Sequence, residues 1–215
     1  MLTIDTHKWI RSAALATLLI VPQRSYAAQA EQTQFQLFPN PATFRCLAAF
    51  PDDPTRPPQA LVTVKQGKLN DQLTIKLKNV KEGLGFDLFT VERSSLESDG
   101  SSVDPFTNFG LAWYHSDLEV GKNHKGTTTI KTILLNQIFG FDPAVGLKPT
   151  NTFHVGFWFD SPEEVADCPF TGFTPFNGDH HAGPVAMISV PDATSGLGPL
   201  CLHPDTSTDP ATCNP

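Results

Sequence analysis

The chain has 215 residues, a net charge of −7 and 40% hydrophobic residues. That length suits one domain with a sizeable core. The acidic balance argues against nucleic acid, which requires a basic footprint, and against adhesion to anionic lipid by charge alone.

Residues 1 to 30 read as a secretory signal. Lys8 and Arg11 form a basic leading region, Ala13 to Val21 is an apolar run, and small residues follow. Cleavage is expected after Ala27 or Ala30. The apolar run is shorter than the ~20 residues a membrane span requires. No later segment is apolar enough to span, so the mature chain is expected to have no transmembrane segment and to be secreted or periplasmic. Loss of Lys8, Arg11, Arg24 and Asp5 with the signal leaves 12 basic against 21 acidic residues, a net charge of −9.

Nineteen prolines and 15 glycines punctuate short apolar runs, as expected of an all-β protein. Gln34 to Phe38 is the first candidate strand, and Thr43 to Phe50 a second, ended by a Pro-rich loop. Ala60 to Lys65 pairs with Gln72 to Val80 across a turn, and alternation of Leu73, Ile75 and Leu77 with polar residues gives that strand one wet face. Phe86 to Arg93 is apolar on both faces in part and reads as central. Ser94 to Asn108 reads as a solvated polar loop. Its Glu97, Asp99, Ser101 and Asp104 are hard oxygen ligands, but they lack the acidic pattern of an EF-hand. Phe109 to Val120 and Thr127 to Leu135 form a hairpin, although Ile130, Ile133, Leu134 and Ile138 also fit a helical stripe.

The richest stretch runs from Thr152 to Gly183. Phe153, Val155, Phe157 and Phe159 alternate, so a strand turns all four inward and leaves His154, Gly156, Trp158 and Asp160 on the other face. Gly156 leaves room between His154 and Trp158 for a ring or ligand close to backbone. Ser161, Pro162 and Glu164 read as a capping box opening a short helix near 162–167, which Cys168-Pro169 ends. A turn over Thr174 to Gly178 leads to Asp179, His180 and His181. Val185 to Val190 is the last strand. The expected fold is all-β, an antiparallel two-sheet sandwich of immunoglobulin-like or jelly-roll type, with a closed barrel as the alternative. Residues 31–190 form the domain, and 191–215 a Pro/Gly-rich tail.

Four cysteines in an exported chain argue for two disulfides. Three pairings are possible. The preferred one joins Cys201 to Cys213, closing the tail, and Cys46 to Cys168, tying the N-terminal region to the helix. No C-x-x-C pair supports a zinc site.

Six histidines follow the signal. His154, His180, His181 and His115 are the candidate ligands of a Zn or Cu site, with Asp117, Asp160 or Asp179 in support. No H-x-H or H-E-x-x-H spacing marks them. Enzymatic motifs are missing: there is no G-x-S-x-G elbow, no phosphate-binding glycine loop and no spare thiol. Trp113, Tyr114 and Trp158, with Asp160 and Asp179 nearby, are the candidate contacts for a glycan or a protein partner.

The segments F-G-L-A-W-Y-H-S-D-L, T-F-H-V-G-F-W-F-D-S-P-E-E-V-A-D-C-P and T-P-F-N-G-D-H-H-A-G resemble those of a family of uncharacterised exported bacterial proteins. The resemblance covers roughly residues 84 to 200. It implies a bacterial exported protein and carries over no catalytic residue. The second histidine after the N-G-D-H turn, His181, departs from the family pattern. Together these readings predict a non-catalytic binding or structural protein of the bacterial envelope or exterior, with a histidine-held metal as the alternative.

Overall fold

The computed structural model describes residues 31–132, 134–135, 153–168 and 182–213. The expected signal, the turn over 174–178, and Asp179, His180 and His181 lie outside the described residues.

Among the described residues, ten strands and two short helical turns follow one another: β1 (Gln32–Pro39), α1 (Phe44–Leu47), β2 (Gln59–Lys65), β3 (Asp71–Lys78), β4 (Gly85–Val91), β5 (Ala112–Glu119), β6 (Lys125–Thr132), β7 (His154–Phe159), a 3-10 turn (Pro162–Val165), β8 (Val185–Ile188), β9 (Pro204–Asp205) and β10 (Thr212–Cys213). Eight of them pair antiparallel in the order β5-β4-β7-β8-β1-β2-β3-β6, and β9 pairs with β10 in a small second sheet.

Strand β1 joins two layers. Its residues 32–37 pair with β2, and Phe38 and Pro39 with β8. One layer is therefore β1-β2-β3-β6, and the other is β5-β4-β7-β8 with the end of β1. At the far side β5 turns directly into β6, where Gly121 N–H donates to Lys125 O at 2.9 Å. Gly126 permits that closure, because a Cβ there would sit 2.6 Å from Glu119 O. The eight strands thus wrap one core, in a sandwich with barrel-like continuity.

The core is filled by alternation. Val62, Val64, Leu73, Ile75 and Leu77 from one layer meet Phe86, Leu88, Val155, Phe157 and Phe159 from the other. The four expected inward residues, Phe153 just before β7 and Val155, Phe157 and Phe159 on it, all lie there. Burial of each such side chain is worth about 1.5–3 kcal/mol before entropy is subtracted. Residues Phe86 and Phe157 meet at 4.8 Å between ring centroids, a tilted contact that ties β4 to its neighbour β7.

The disulfides are Cys46–Cys168 and Cys201–Cys213, the preferred pairing. The first explains a correction at residues 43–50, which were expected to form a strand. They form a helical turn instead, with the N–H groups of Cys46 and Leu47 donating to Thr43 O. Buried Cys46 and Leu47 then share one side, and the sulfur faces Cys168. The expected solvated loop at 94–108 is largely exposed, but Leu96 within it is buried. Leu96, Phe106 and Phe109 from this region pack on the outward side of the second layer, with Phe89, Val91, Trp158 and Ile188, as a second core. The expected capping box is half made: Ser161 forms no side-chain cap bond. The Glu164 carboxylate supplies the other half, accepting from the Ser161 backbone, and it also accepts from Gly85 N–H at 2.9 Å and Asp160 N–H at 3.2 Å.

Candidate functional site

The outward face of the second layer divides in two along the strands. At the end of β7 where His154 stands, the face is covered. His154 is buried, and its Nδ1 lies 3.1 Å from both the carbonyl oxygen and the hydroxyl of Ser189. Burial drives its pKa down to about 4, so the ring is neutral near pH 7. It borders a cavity of about 420 Å³ beneath the 92–108 segment, together with Glu92, Phe106 and Pro191.

Gly156 does leave room for a ring, and Trp158 fills it. A Cβ on Gly156 would meet Trp158 Cζ3 at 3.1 Å. Trp158 is 0% exposed and packs edge-on against Phe89 and Phe109, with centroids 5.1 and 5.0 Å away. Trp158 therefore contributes packing and is closed to a ligand in this conformation.

The opposite end is open and acidic. Asp87 on β4, Asp117 on β5 and Asp160 just after β7 each present a carboxylate oxygen within 4.8 Å of the others. Asp87 is 1% exposed, whereas Asp117 and Asp160 are exposed. Register explains the convergence: Asp87 is paired across to Asp117 on one side and to Trp158 on the other.

A bulge completes the group. Between Leu88 and Phe89 the register of β5 slips, pairing Leu88 with Ser116 and Phe89 with Tyr114, so that His115 is the extra residue. Without it, Tyr114 and Asp117 would point to opposite faces. With it, the Tyr114 hydroxyl donates to Asp117 Oδ1 at 2.7 Å, and the ring rests edge-on against Phe89 at 5.5 Å. That hydrogen bond, then burial and the negative charges of Asp117, Asp87 and Asp160, raise the Tyr114 pKa to about 12. Losing the proton would remove a donor and add a fourth negative group, which is why the phenol holds it.

The expected histidine ligands fare differently. His115 Nε2 lies 3.0 Å from Thr90 Oγ1, its ring stacks on Trp113, and burial lowers its pKa to about 4. Strand alternation places it on the face of the second layer opposite His154. These two described histidines are thus held apart by the sheet itself. Asp99, from the acidic loop, accepts from the N–H and hydroxyl of Ser101. Among the described residues, the carboxylates of Asp87, Asp117 and Asp160 are the group whose ligand atoms converge. An all-oxygen set of this kind suits a hard cation such as Ca²⁺ better than Zn or Cu.

Trp113 and Tyr114 remain as exposed large rings, 45% and 40% accessible, on opposite sides of the edge strand β5. Sequence reading singled out Trp113, Tyr114 and Asp160 but gave Asp87 no role. No local signal marks Asp87, because its importance comes from what β5 and β7 place beside it. No protein-family model, curated protein or solved structure matches this chain.

Proposed function

We propose that the chain is an exported, non-catalytic binding protein of the bacterial envelope or exterior, and that the β5 edge receives a glycan. The observation that carries this reading is the exposure of Trp113 and Tyr114 on the two sides of an edge strand, with Asp117 and Asp160 beside Tyr114. Flat rings stack on the apolar faces of sugars, and carboxylates accept from their hydroxyls. Two disulfides fit an oxidising, extracellular or periplasmic environment, and no helix among the described residues is long and apolar enough to cross a membrane. The leader-like first 30 residues and the resemblance to exported bacterial proteins support the same compartment.

A panel of neutral glycans titrated against tryptophan fluorescence tests the reading. The expected result is a saturable change that Trp113→Ala abolishes while the circular dichroism spectrum is kept. A flat response across the panel overturns it. The alternative, Zn or Cu held by His154, His180, His181 and His115, draws no support from the two described histidines, whose ring nitrogens face Ser189 and Thr90. Thermal stabilisation by Zn²⁺ or Cu²⁺, lost in His154→Gln, would favour it instead.

A further inference from the structure

The outward side of the first layer carries a charge pattern that the whole-chain balance hides. In register across β1, β2, β3 and β6, one row of outward positions reads Gln32, Lys65, Gln72, Lys131. The next reads Gln34, Thr63, Thr74, Thr129, and the third Gln36, Leu61, Lys76, Thr127. A last row of three holds Gln59, Lys78 and Lys125. Five positions are lysine and none is Asp or Glu, in a chain of net charge −7. All five lysines are exposed, and among the described residues none forms an ion pair.

The middle row is held in place by its own bonds. Gln34 Nε2 donates to Thr63 Oγ1 at 3.0 Å, and the hydroxyls of Thr74 and Thr129 lie 3.0 Å apart. A depression of about 250 Å³ lies over the first three strands, with Lys65 and Lys76 on its walls.

We propose that this face docks a linear acidic polysaccharide. Lys65 and Lys131 stand two strand spacings apart, roughly 10 Å, and successive rows are roughly 7 Å apart, so the charge is spread over a flat grid. A polymer with a repeated anionic group matches such a grid by charge complementarity, and the Gln and Thr side chains meet its hydroxyls. Nucleic acid fits less well, because no aromatic ring on the grid is present to stack bases. A lipid surface fits less well too, because Leu61 is the one apolar side chain in these rows. Protection against edge pairing accounts for lysines on the edge strand β6, but Lys65, Lys76 and Lys78 stand on interior strands. This surface lies apart from the β5 edge and does not depend on the glycan reading of it.

The test measures binding of the purified disulfide-bonded chain to polygalacturonate at low and moderate salt. Binding is expected to weaken with salt and to fall about tenfold or more in Lys65→Gln/Lys76→Gln/Lys131→Gln, since three exposed charge contacts are lost. A control triple variant, Lys68→Gln/Lys81→Gln/Lys122→Gln, removes the same net charge from exposed positions off the grid and should bind as the parent does. Equal loss in both triples, no loss in either, equal binding to neutral dextran, or tighter binding to duplex DNA or anionic vesicles would each overturn the proposal.

Discussion

The two layers share one core but present different outward faces. On β2 and β3 nearly every second residue meets water, so polar and apolar residues alternate and the strands read directly from the sequence. On β4, β7 and β8 every residue is buried, because the 92–111 segment and the stretch from 182 onward cover the outward side. A strand buried on both faces loses its polar alternation, and its outward residues stop being candidates for ligand contact. Trp158 shows the consequence. An aromatic residue opposite the core face looks available until the covering segment is in place.

The largest expected effect that would sharpen this contrast comes from Trp158→Ala. Emptying a fully packed site should cost about 3–5 kcal/mol in denaturant unfolding, while Thr63→Ala on the open face should stay within about 0.5 kcal/mol. Similar losses at both positions would mean that the outward face of the second layer is not a true core.

Acid comes next. His154 titrates at about 4 in the folded chain against 6.5 ordinarily, because it is buried. The unfolded chain therefore takes up a proton that the folded chain refuses. Stability should be full above pH 6.5, fall as pH drops toward 4, and level off below, a loss of up to about 3 kcal/mol. His115, also lowered to about 4 by burial, adds a slope over the same window. His154→Gln should therefore reduce the acid sensitivity without abolishing it, and an unchanged slope would assign it elsewhere.

A smaller cost is expected from Gly156→Ala, whose new methyl would meet Ile188 Cγ1 at 3.0 Å and Met187 O at 3.2 Å as well as the Trp158 ring. Overpacking of this kind costs about 1–3 kcal/mol, measurable by thermal unfolding. A neutral result would show that the cover over β7 yields easily.

The smallest effect tests the acidic end. Tyr114 is the one tyrosine after residue 30, so tyrosinate absorbance reports on it alone in protein that starts at Glu31. Its pKa should fall from about 12 toward 10 in Asp117→Asn, because the leading cause of the shift is removed. No movement would break the link between the bulge and the carboxylate group.

Much of this architecture could be read locally. The alternation at 60–65 and 72–78 and the inward phenylalanines at 153–159 depend on neighbours in sequence, and they hold. The cysteine pairing, one of three the sequence allowed, was chosen by the fold across 122 residues. Residues 43–50 misled because a short apolar run reads alike as strand or helical turn, and residues 44–47 take the turn. Of the candidate site, Trp113, Tyr114 and Asp160 were visible as residue types, but the gathering of Asp87, Asp117 and Asp160 was not.

By itself the amino-acid order determined which side chains face inward on β2, β3 and β7, because the two-residue period of a regular strand is a local property. Only the tertiary structure decided which outward faces stay open, which carboxylates converge and where five lysines form a grid. Those outcomes depend on register between strands far apart in the chain, on a single bulged residue and on a distant segment folding over the sheet, and no local pattern encodes them.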